Sequence, residues 1–183
     1  NRRPDYLPRK VQPGGDVYAL REGKRHLVIK CGNLAFEEAD AIVNSTHARL
    51  DCDYGLSLTL AVAAGEEARR EWERYRSTSL RPGRAVVTTA GNLRAKFVLH
   101  GVTLGFGKSS VVVPSRDLII EILRSCFYHA DSLDLRSIAF PLLGTGAGGF
   151  SEPVCLDTTF RFLVRALSRP TTSVTRAIIV IND

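Results

Sequence analysis

Short runs rich in apolar and β-branched residues recur along the chain. They lie at 17–20, 26–30, 41–43, 85–89, 96–100, 137–141 and 177–181. Two of them, AIV at 41–43 and AIIVI at 177–181, are apolar at every position instead of alternating with polar residues. Such a strand has both of its faces buried, as happens in a parallel sheet that helices cover on both sides.

Longer segments between these runs have the patterns of helices. The apolar stretch 56–64 fits a strand or a helix by its period, but residues 66–76 carry opposite charges one helical turn apart, which favours helix in this region. Apolar residues spaced in fours predict a helix over 116–130. Ser151, followed by a glutamate and a proline, indicates the start of a helix that runs to about residue 167.

Strands therefore alternate with helices, and the sequence predicts an α/β fold on a mixed, mostly parallel sheet with helices on both faces. A chain of 183 residues that is 44% hydrophobic can bury a sufficient core as one domain. Residues 1–15 contain prolines and two closing glycines, so we expect an N-terminal arm or linker there and a single domain over 16–183.

The formal net charge of +6 invites a nucleic-acid interpretation. Residues 1–10 hold four basic residues and one acidic residue, so half of the excess belongs to the expected arm. The remaining domain has an ordinary charge balance, and nucleic-acid binding stays a weakly supported alternative. The chain contains no methionine, from which we expect a domain of a larger polypeptide.

The cysteines predict the compartment. Their spacing contains no CxxC pair, and a domain of this size does not need disulfides for stability. We therefore expect reduced thiols, no metal site and an intracellular setting, cytoplasmic or nuclear. No apolar run approaches the roughly 18 residues of a membrane-spanning helix, so no membrane association is expected. The four cysteines are Cys31, Cys52, Cys126 and Cys155.

A glycine-rich loop follows the apolar strand SIAFP and precedes the last predicted helix. It holds four glycines within the six residues 144–149. Glycines allow successive main-chain N–H groups to face one concavity, and the start of a helix adds positive potential, so this composition is typical of a phosphate-binding loop. The loop lacks the lysine of a Walker motif. A flexible turn that packs a helix tightly on a strand is the alternative.

Two other strands also end in small polar or glycine-rich segments. The strand at 26–30 is followed by Cys-Gly-Asn-Leu, and the strand at 41–43 by Asn-Ser-Thr-His and then by the loop 50–56. In an α/β sheet, ligands bind outside the carboxyl ends of the strands, so three such loops predict one shared site.

In their order and spacing, these segments resemble the macrodomains, a family of ADP-ribose-binding modules. The resemblance covers about residues 25–183 and implies a three-layer α/β/α sandwich. Its segments are Gly32-Asn33-Leu34, DAIVNSTH at 40–47, DYGL at 53–56, Ala63-Ala64-Gly65, GRAVVT at 83–88, Val98-Leu99-His100 and IAFPLLGTGAGGF at 138–150.

The resemblance implies that ADP-ribose, or an ADP-ribosylated partner, lies in a cleft across the strand ends, with no cofactor besides this ligand. The loop 144–150 would wrap the diphosphate, and Asn44 would help to order the ribose region. Phe150 would pack near the distal ribose, although it is equally explained as a core residue. The other residues implied in binding are Asn33, Leu34, His47, Tyr54, Gly55, Leu56, Gly144, Thr145, Gly146, Ala147, Gly148, Gly149 and Asn182.

At the base end, the chain departs from the family pattern at one position. Asn33 stands where the family usually has an aspartate that accepts a hydrogen bond from the adenine amino group. Its side-chain oxygen is expected to accept the same hydrogen bond without a charge, and an asparagine can also turn to donate. Asn182 falls where the family places a residue against adenine, with a strand-end cap as the alternative.

The departures on the ribose side bear on catalysis. His47 replaces the last asparagine of the family turn, Cys52, Asp53 and Tyr54 replace glycines, and Ser57 replaces the carboxylate of one class of hydrolases. A serine hydroxyl alone cannot replace a carboxylate base. The first interpretation is therefore a binding module with little hydrolysis.

Two alternatives stay open. The first is an ADP-ribosyl hydrolase with an unusual base near His47 and Asp53, since a histidine can act as a base near neutral pH. The second is a divergent macrodomain that serves as a protein- or nucleic-acid-interaction module and does not bind ADP-ribose. His47 and Cys52 without further ligands are weak support for a metal site.

Overall fold

The computed structural model describes residues 15–21, 24–107 and 110–182. The expected arm at 1–15 lies outside this part of the chain, apart from residue 15. The strands are β1 (Asp16–Leu20), β2 (Arg25–Cys31), β3 (Ala41–His47), β4 (Ala85–Thr89), β5 (Phe97–Phe106), β6 (Val111–Val112), β7 (Ser137–Phe140) and β8 (Arg176–Ile181). The helices are α1 (Gly55–Ala64), α2 (Glu66–Glu73), α3 (Arg116–Ser132) and α4 (Glu152–Ser168), with 3₁₀ turns at Leu34–Phe36 and Arg74–Ser77.

The strands form a mixed sheet in the order β1-β2-β8-β7-β3-β5-β4, with β6 paired to β5. Within the sheet, the five adjacent strands β2, β8, β7, β3 and β5 run parallel. The strands β1, β4 and β6 are antiparallel to their partners. The predicted mixed, mostly parallel sheet is confirmed. Five parallel strands therefore place their carboxyl ends side by side along one edge.

Helices cover both faces of the sheet and create two apolar layers. Along β3, Val43 belongs to the layer under α3 and α4, whereas Ile42 belongs to the layer under α1 and α2. Both side chains are fully buried, because successive residues of a strand point to opposite faces. The three-layer α/β/α arrangement is thus confirmed, and it explains why the central strands are apolar at every position.

The helical prediction for 56–76 is confirmed, but the region forms two helices and a 3₁₀ turn instead of one continuous helix. Gly65 ends α1 with a φ of +87°, and a new helix starts at Glu66. This conformation favours glycine, and a Cβ at Gly65 would lie 2.6 Å from the side-chain nitrogen of Asn92, which would have to move. Alternating charges one turn apart are present on α2, where Glu66 and Arg70 are 2.6 Å apart, but they carry no information about this break.

Two strands continue well beyond their predicted bounds, and one strand was not predicted. β3 continues through His47, although 44–47 was expected to be loop, and β5 continues through Phe106. The two-residue strand β6 was not predicted. The polar ends of β3 and β5 extend beyond their neighbours at the edge where the ligand was expected. Among the described residues, no helix is long and apolar enough to cross a membrane.

Candidate functional site: a cleft across five strand ends

A cavity of about 660 Å³ lies over the carboxyl ends of β2, β8, β7, β3 and β5. These strands are adjacent, so the cavity spans roughly 19 Å at the usual spacing of about 4.8 Å. It is lined by Gly32, Asn33, Leu34, Ser45, Thr46, His47, Asp51, Tyr54, Gly55, Leu56, Ser57, Leu58, Thr59, Thr103, Leu104, Pro141, Leu142, Gly144, Thr145, Gly146, Ala147, Gly148, Glu152, Val180, Ile181 and Asn182.

The glycine-rich loop after β7 forms the middle of the cavity. Two main-chain hydrogen bonds close it, from Gly149 N–H to the carbonyl of Gly146 (2.9 Å) and from Phe150 N–H to the carbonyl of Gly144 (3.0 Å). The glycines at 144 and 149 have φ values of +74° and +64°, which the curled backbone requires. Among the described residues, none accepts a hydrogen bond from the main-chain N–H groups of 145–148. Four consecutive unpaired donors in a curled loop are suited to bind an anion.

The glycines of this loop are not equivalent. A Cβ on Gly148 would lie 2.5 Å from the carbonyl oxygen of Gly144 and 2.7 Å from Pro114, and a Cβ on Gly144 would also meet Pro114 at 2.7 Å. A Cβ on Gly146 would meet no atom within 4 Å. Gly144 and Gly148 are therefore required by packing, whereas Gly146 borders open space in the cavity.

The amino terminus of α1 faces the same cavity from the other side. Tyr54 is its N-cap residue, and its side chain makes no capping hydrogen bond. Gly55, the first helical residue, has a φ of +58°. The uncapped start of a helix carries partial positive charge, which favours an anionic ligand. The α4 helix begins next to the glycine-rich loop, where Ser151 occupies the predicted N-cap position but makes no side-chain capping bond.

A buried network of hydrogen bonds lies beneath α1 and β3. Asn44 donates from Nδ2 to Nδ1 of His100 (3.2 Å), so the neutral ring carries its proton on Nε2 and donates to Oγ1 of Thr88 (2.8 Å). The Ser57 hydroxyl donates to Oδ1 of Asn44 (3.1 Å). Complete burial lowers the pKa of His100 to about 3, so the ring is neutral. Asn44 is fully buried and supports the cavity wall from behind.

His47 lines the cavity at the end of β3. Its Nδ1 accepts a hydrogen bond from the main-chain N–H of Arg49 (3.3 Å) and lies 3.8 Å from Oδ2 of Asp51. Its ring also packs edge-on against Phe106 at 6.5 Å. A neutral imidazole that accepts at Nδ1 carries its proton on Nε2. In this geometry His47 is a hydrogen-bond donor to a ligand.

Asp53, one of the two candidate bases, is not among the residues that line the cavity. Its carboxylate pairs with Arg76 at 2.6 Å and lies 4.0 Å from Arg69. These ion pairs connect the loop before α1 to α2, which carries Arg69, and to the 3₁₀ turn after α2, which carries Arg76. The neighbouring Cys52 is buried, and its thiol hydrogen-bonds to the carbonyl of Leu50. Desolvation raises the pKa of Cys52 to about 11, which makes it a poor metal ligand at neutral pH.

The end of the cavity at β2 and β8 is apolar with two amide side chains. Leu34, Val180 and Ile181 form its walls, and Asn33 and Asn182 supply its polar groups. Oδ1 of Asn33 accepts a hydrogen bond from the main-chain N–H of Ala35 (2.9 Å), which caps the 3₁₀ turn. This hydrogen bond occupies one lone pair of the oxygen and fixes the orientation of the amide, and the expected contact of Asn33 with the base stays a prediction.

The opposite end, at β3 and β5, is rich in hydroxyl groups. Oγ of Ser45 accepts from Gly144 N–H (3.1 Å) and lies 3.3 Å from Oγ1 of Thr103. Thr46 and His47 lie beside them in the lining. This end can satisfy several hydroxyl groups of a sugar, as both donor and acceptor.

Of the expected binding residues, twelve line one cavity and three do not. Asn44 lies behind the wall, and Phe150 packs against the core under α3 and α4, as its alternative interpretation had it. Gly149 shapes the loop without lining the cavity. Sequence reasoning missed lining residues that include Ser45, Thr103 and Glu152. Polar residues at the end of an otherwise apolar strand are the signal that could have found the first two.

The four cysteines are free, as predicted. No group of three or more His, Cys, Asp or Glu side chains that could hold a metal ion occurs within the described ranges. The absence of a resident metal stays a prediction.

Comparison with known proteins identifies the family. The family model of the Macro domain matches residues 43–158. An uncharacterised protein of Sulfolobus acidocaldarius is 31% identical over 141 residues, which cover 76% of this chain and 75% of that protein. A Mycobacterium tuberculosis protein is 36% identical over 135 residues, which cover 72% of this chain but only 34% of that protein.

Solved structures agree with the fold. The chain superposes on a variant of the Oceanobacillus iheyensis macrodomain with ADPR at a TM-score of 0.78, with 20% identity and coverage of 91% of this chain and 89% of that one. The Trypanosoma brucei macrodomain in complex with ADP gives a TM-score of 0.74, with 20% identity and coverage of 90% and 72%. On the family match, the identity to its relatives and the fold, the chain belongs to the Macro domain family.

Proposed function

We propose that the chain binds ADP-ribose, or a related nucleoside diphosphate ribose, either free or attached to a macromolecule. The observation that carries the proposal is the order of chemistry along the cavity. Across the five strand ends, the cavity begins with an apolar end that carries two amide side chains. It continues with a central run of unpaired main-chain donors and finishes with an end rich in hydroxyl groups. In ADP-ribose the base, the diphosphate and the distal ribose follow one another in the same order.

The central donors provide the affinity for the diphosphate. Residues 145–148 offer four main-chain N–H groups, and the uncapped start of α1 faces them across the cavity. Hydrogen bonds to a charged acceptor contribute about 1.5–3 kcal/mol each, roughly twice the value of neutral ones. No basic side chain is needed, because the fixed dipoles of the backbone do not have to reorganise when the anion binds.

The relatives support the same class of ligand. Solved macrodomains that share this fold have been obtained with ADPR and with ADP. Because their identity to this chain is about 20%, the ligand assignment here depends on the cavity described above. One relative is about three times longer than the region it shares with this chain, which supports the view that the module also serves within larger polypeptides.

We also propose that hydrolysis is slow or absent. No carboxylate stands at the start of α1, where Ser57 is hydrogen-bonded to Asn44. His47 has its proton on Nε2 in the neutral form and so donates to a ligand instead of accepting a proton from water there. Asp53 is paired with Arg76 outside the cavity. Activation of water by a side chain requires a base with a free lone pair beside the reacting carbon.

Calorimetric titration with ADP-ribose tests the binding proposal. Saturable heat with a one-to-one stoichiometry is expected at ligand concentrations up to the millimolar range. Absence of heat at millimolar ADP-ribose would contradict the proposal and favour the module that binds another protein or a nucleic acid.

A turnover assay tests the second part. An ADP-ribosylated protein is incubated with the chain in stoichiometric amounts for hours, and free ADP-ribose is measured. Binding of the modified protein without release is expected. Multiple turnovers, lost in His47→Ala, would contradict the proposal and make the chain a hydrolase.

A further inference from the structure

Building on the proposed function, we infer that the base end of the cavity selects a 6-oxopurine, such as hypoxanthine or guanine, over adenine. The apolar walls formed by Leu34, Val180 and Ile181 suit any flat base, so they do not discriminate. Selection depends on the polar groups that meet the edge of the base. In this chain the fixed polar groups at that end are hydrogen-bond donors.

The orientation of the Asn33 amide is fixed by its role as a cap. Its Oδ1 accepts the main-chain N–H of Ala35 at 2.9 Å. Turning the amide over would place its NH₂ group against that N–H and lose the hydrogen bond. The NH₂ group has no acceptor among the described residues and, with the amide fixed in this orientation, is the donor that Asn33 brings to the cavity lining. An aspartate at the same position would cap with one oxygen and offer the other as an acceptor, so exchange of Asp for Asn reverses the polarity of this group.

A second donor lies beside it in the chain. Among the described residues, none accepts a hydrogen bond from the main-chain N–H of Leu34, the first residue of the 3₁₀ turn, and Leu34 lines the cavity. Asn33 and Leu34 therefore present two neighbouring donors. Asn182 makes no hydrogen bond within the described part of the chain, so its amide can rotate to either polarity and does not decide the selection.

Two neighbouring donors match the edge of a 6-oxopurine. Such a base presents O6 and N7 as adjacent acceptors, whereas adenine always presents its amino group, a donor, next to N7 or N1. One of the two donors would therefore face the amino group of adenine and stay unpaired. A site that leaves a buried polar group unpaired discriminates strongly against the mismatched ligand.

The test compares ADP-ribose with inosine diphosphate ribose, which differs only in the exchange of the 6-amino group for an oxygen. We expect the wild-type chain to bind inosine diphosphate ribose about tenfold more tightly, equivalent to about 1.4 kcal/mol. Asn33→Asp is the matched variant, because aspartate caps a helical turn as well as asparagine does. In this variant the preference is expected to reverse, with ADP-ribose the tighter ligand. Circular dichroism of both chains checks that the fold is unchanged.

The outcomes separate the inference from the function on which it rests. If both nucleotides bind with equal affinity, or ADP-ribose binds more tightly to the wild type, the inference is wrong and the binding function stands. A ratio that does not change in Asn33→Asp would also overturn it. If neither nucleotide binds at millimolar concentration, the proposed function itself fails.

Discussion

The two walls of the cavity are built from different parts of the polypeptide. The wall formed by residues 144–149 is made of main chain, curled by positive φ angles and closed by its own N–H groups and carbonyls. The facing wall, from the end of β3 to the start of α1, is held by side chains. Asn44, His100 and Ser57 form a buried network behind it, and ion pairs of Asp53 fasten the loop outside it.

The difference indicates where substitutions are tolerated. A main-chain wall needs no particular side chain, but it forbids added atoms wherever backbone passes close to backbone. A side-chain wall accepts new residues at its surface, provided that the buried partners keep their hydrogen bonds. The chain follows this distinction, because its departures from the family pattern, apart from Asn33 at the base end, lie at 47, 52–54 and 57 on the side-chain wall, while the glycine-rich loop is present.

The largest effect is expected from a charge placed on the main-chain wall. Gly146→Glu should reduce affinity for ADP-ribose more than a hundredfold, because the new side chain enters the space of the diphosphate and repels it. The backbone at Gly146 does not have a positive φ, and its Cβ would meet no atom within 4 Å, so the fold should persist. Calorimetry and a thermal melt measure both quantities.

The control is Gly146→Ala, which adds only the Cβ and should keep the affinity within about threefold, since ordinary surface substitutions cost under about 0.5 kcal/mol. Unchanged affinity in the glutamate variant would mean that the diphosphate lies elsewhere. The comparison of the two walls would then lose its functional meaning.

For the side-chain wall, the expected effect is a dependence of the free energy of unfolding on pH, which arises from the buried His100. The unfolded His100 binds a proton below its ordinary pKa of 6.5, whereas the buried ring resists protonation until about pH 3. Between these values the unfolded state binds the extra proton, so the free energy of unfolding falls by about 1.4 kcal/mol per pH unit as the pH decreases. Near pH 4.5 this loss reaches about 3 kcal/mol relative to neutral pH.

Urea unfolding at several pH values between 7 and 4.5 measures this slope. His100→Gln replaces the titrating imidazole by an amide that can still form hydrogen bonds in the network. The stability of this variant should depend less steeply on pH than that of the wild type. Equal slopes in the two chains would show that the ring is accessible to protons in the folded state.

The fold could be predicted well because its strands and helices follow from the spacing of apolar side chains along the chain. Apolar positions specified five of the parallel or edge strands within a few residues, and they specified the helices α3 and α4. The break at Gly65 was missed because a positive φ leaves no trace in hydrophobic periodicity. The end of β3, residues 44–47, was missed because its polar residues resemble a loop in the sequence.

Most of the cavity lining could be predicted from the sequence, but the contacts that fix its side chains could not. Four glycines after a buried strand mark the anion loop directly. The state of Asn33 depends on a hydrogen bond to the backbone two residues later, and the isolation of Asp53 depends on arginines more than 15 residues away. Such contacts follow from three-dimensional placement and cannot be deduced from residue type.

A smaller effect should separate two glycines of the same loop. In Gly148→Ala the new Cβ would lie 2.5 Å from the carbonyl oxygen of Gly144, so the backbone must shift. We expect a loss of about 1–3 kcal/mol in stability, as for overpacked positions, and weaker binding. An unchanged melting temperature would show that the loop is more compliant than a main-chain wall should be.

The smallest effect is expected from Asp53→Asn. Its carboxylate is 58% exposed and pairs with Arg76 at the surface, and exposed ion pairs contribute under about 1 kcal/mol. Glu66→Gln, which removes the exposed pair with Arg70 on α2, is the matched control. Both variants should lose similar, small amounts of stability and bind ADP-ribose as the wild type does. If Asp53→Asn alone abolished a measurable release of ADP-ribose, the carboxylate would have to reach the ligand, and the side-chain wall would then carry chemistry as well as structure.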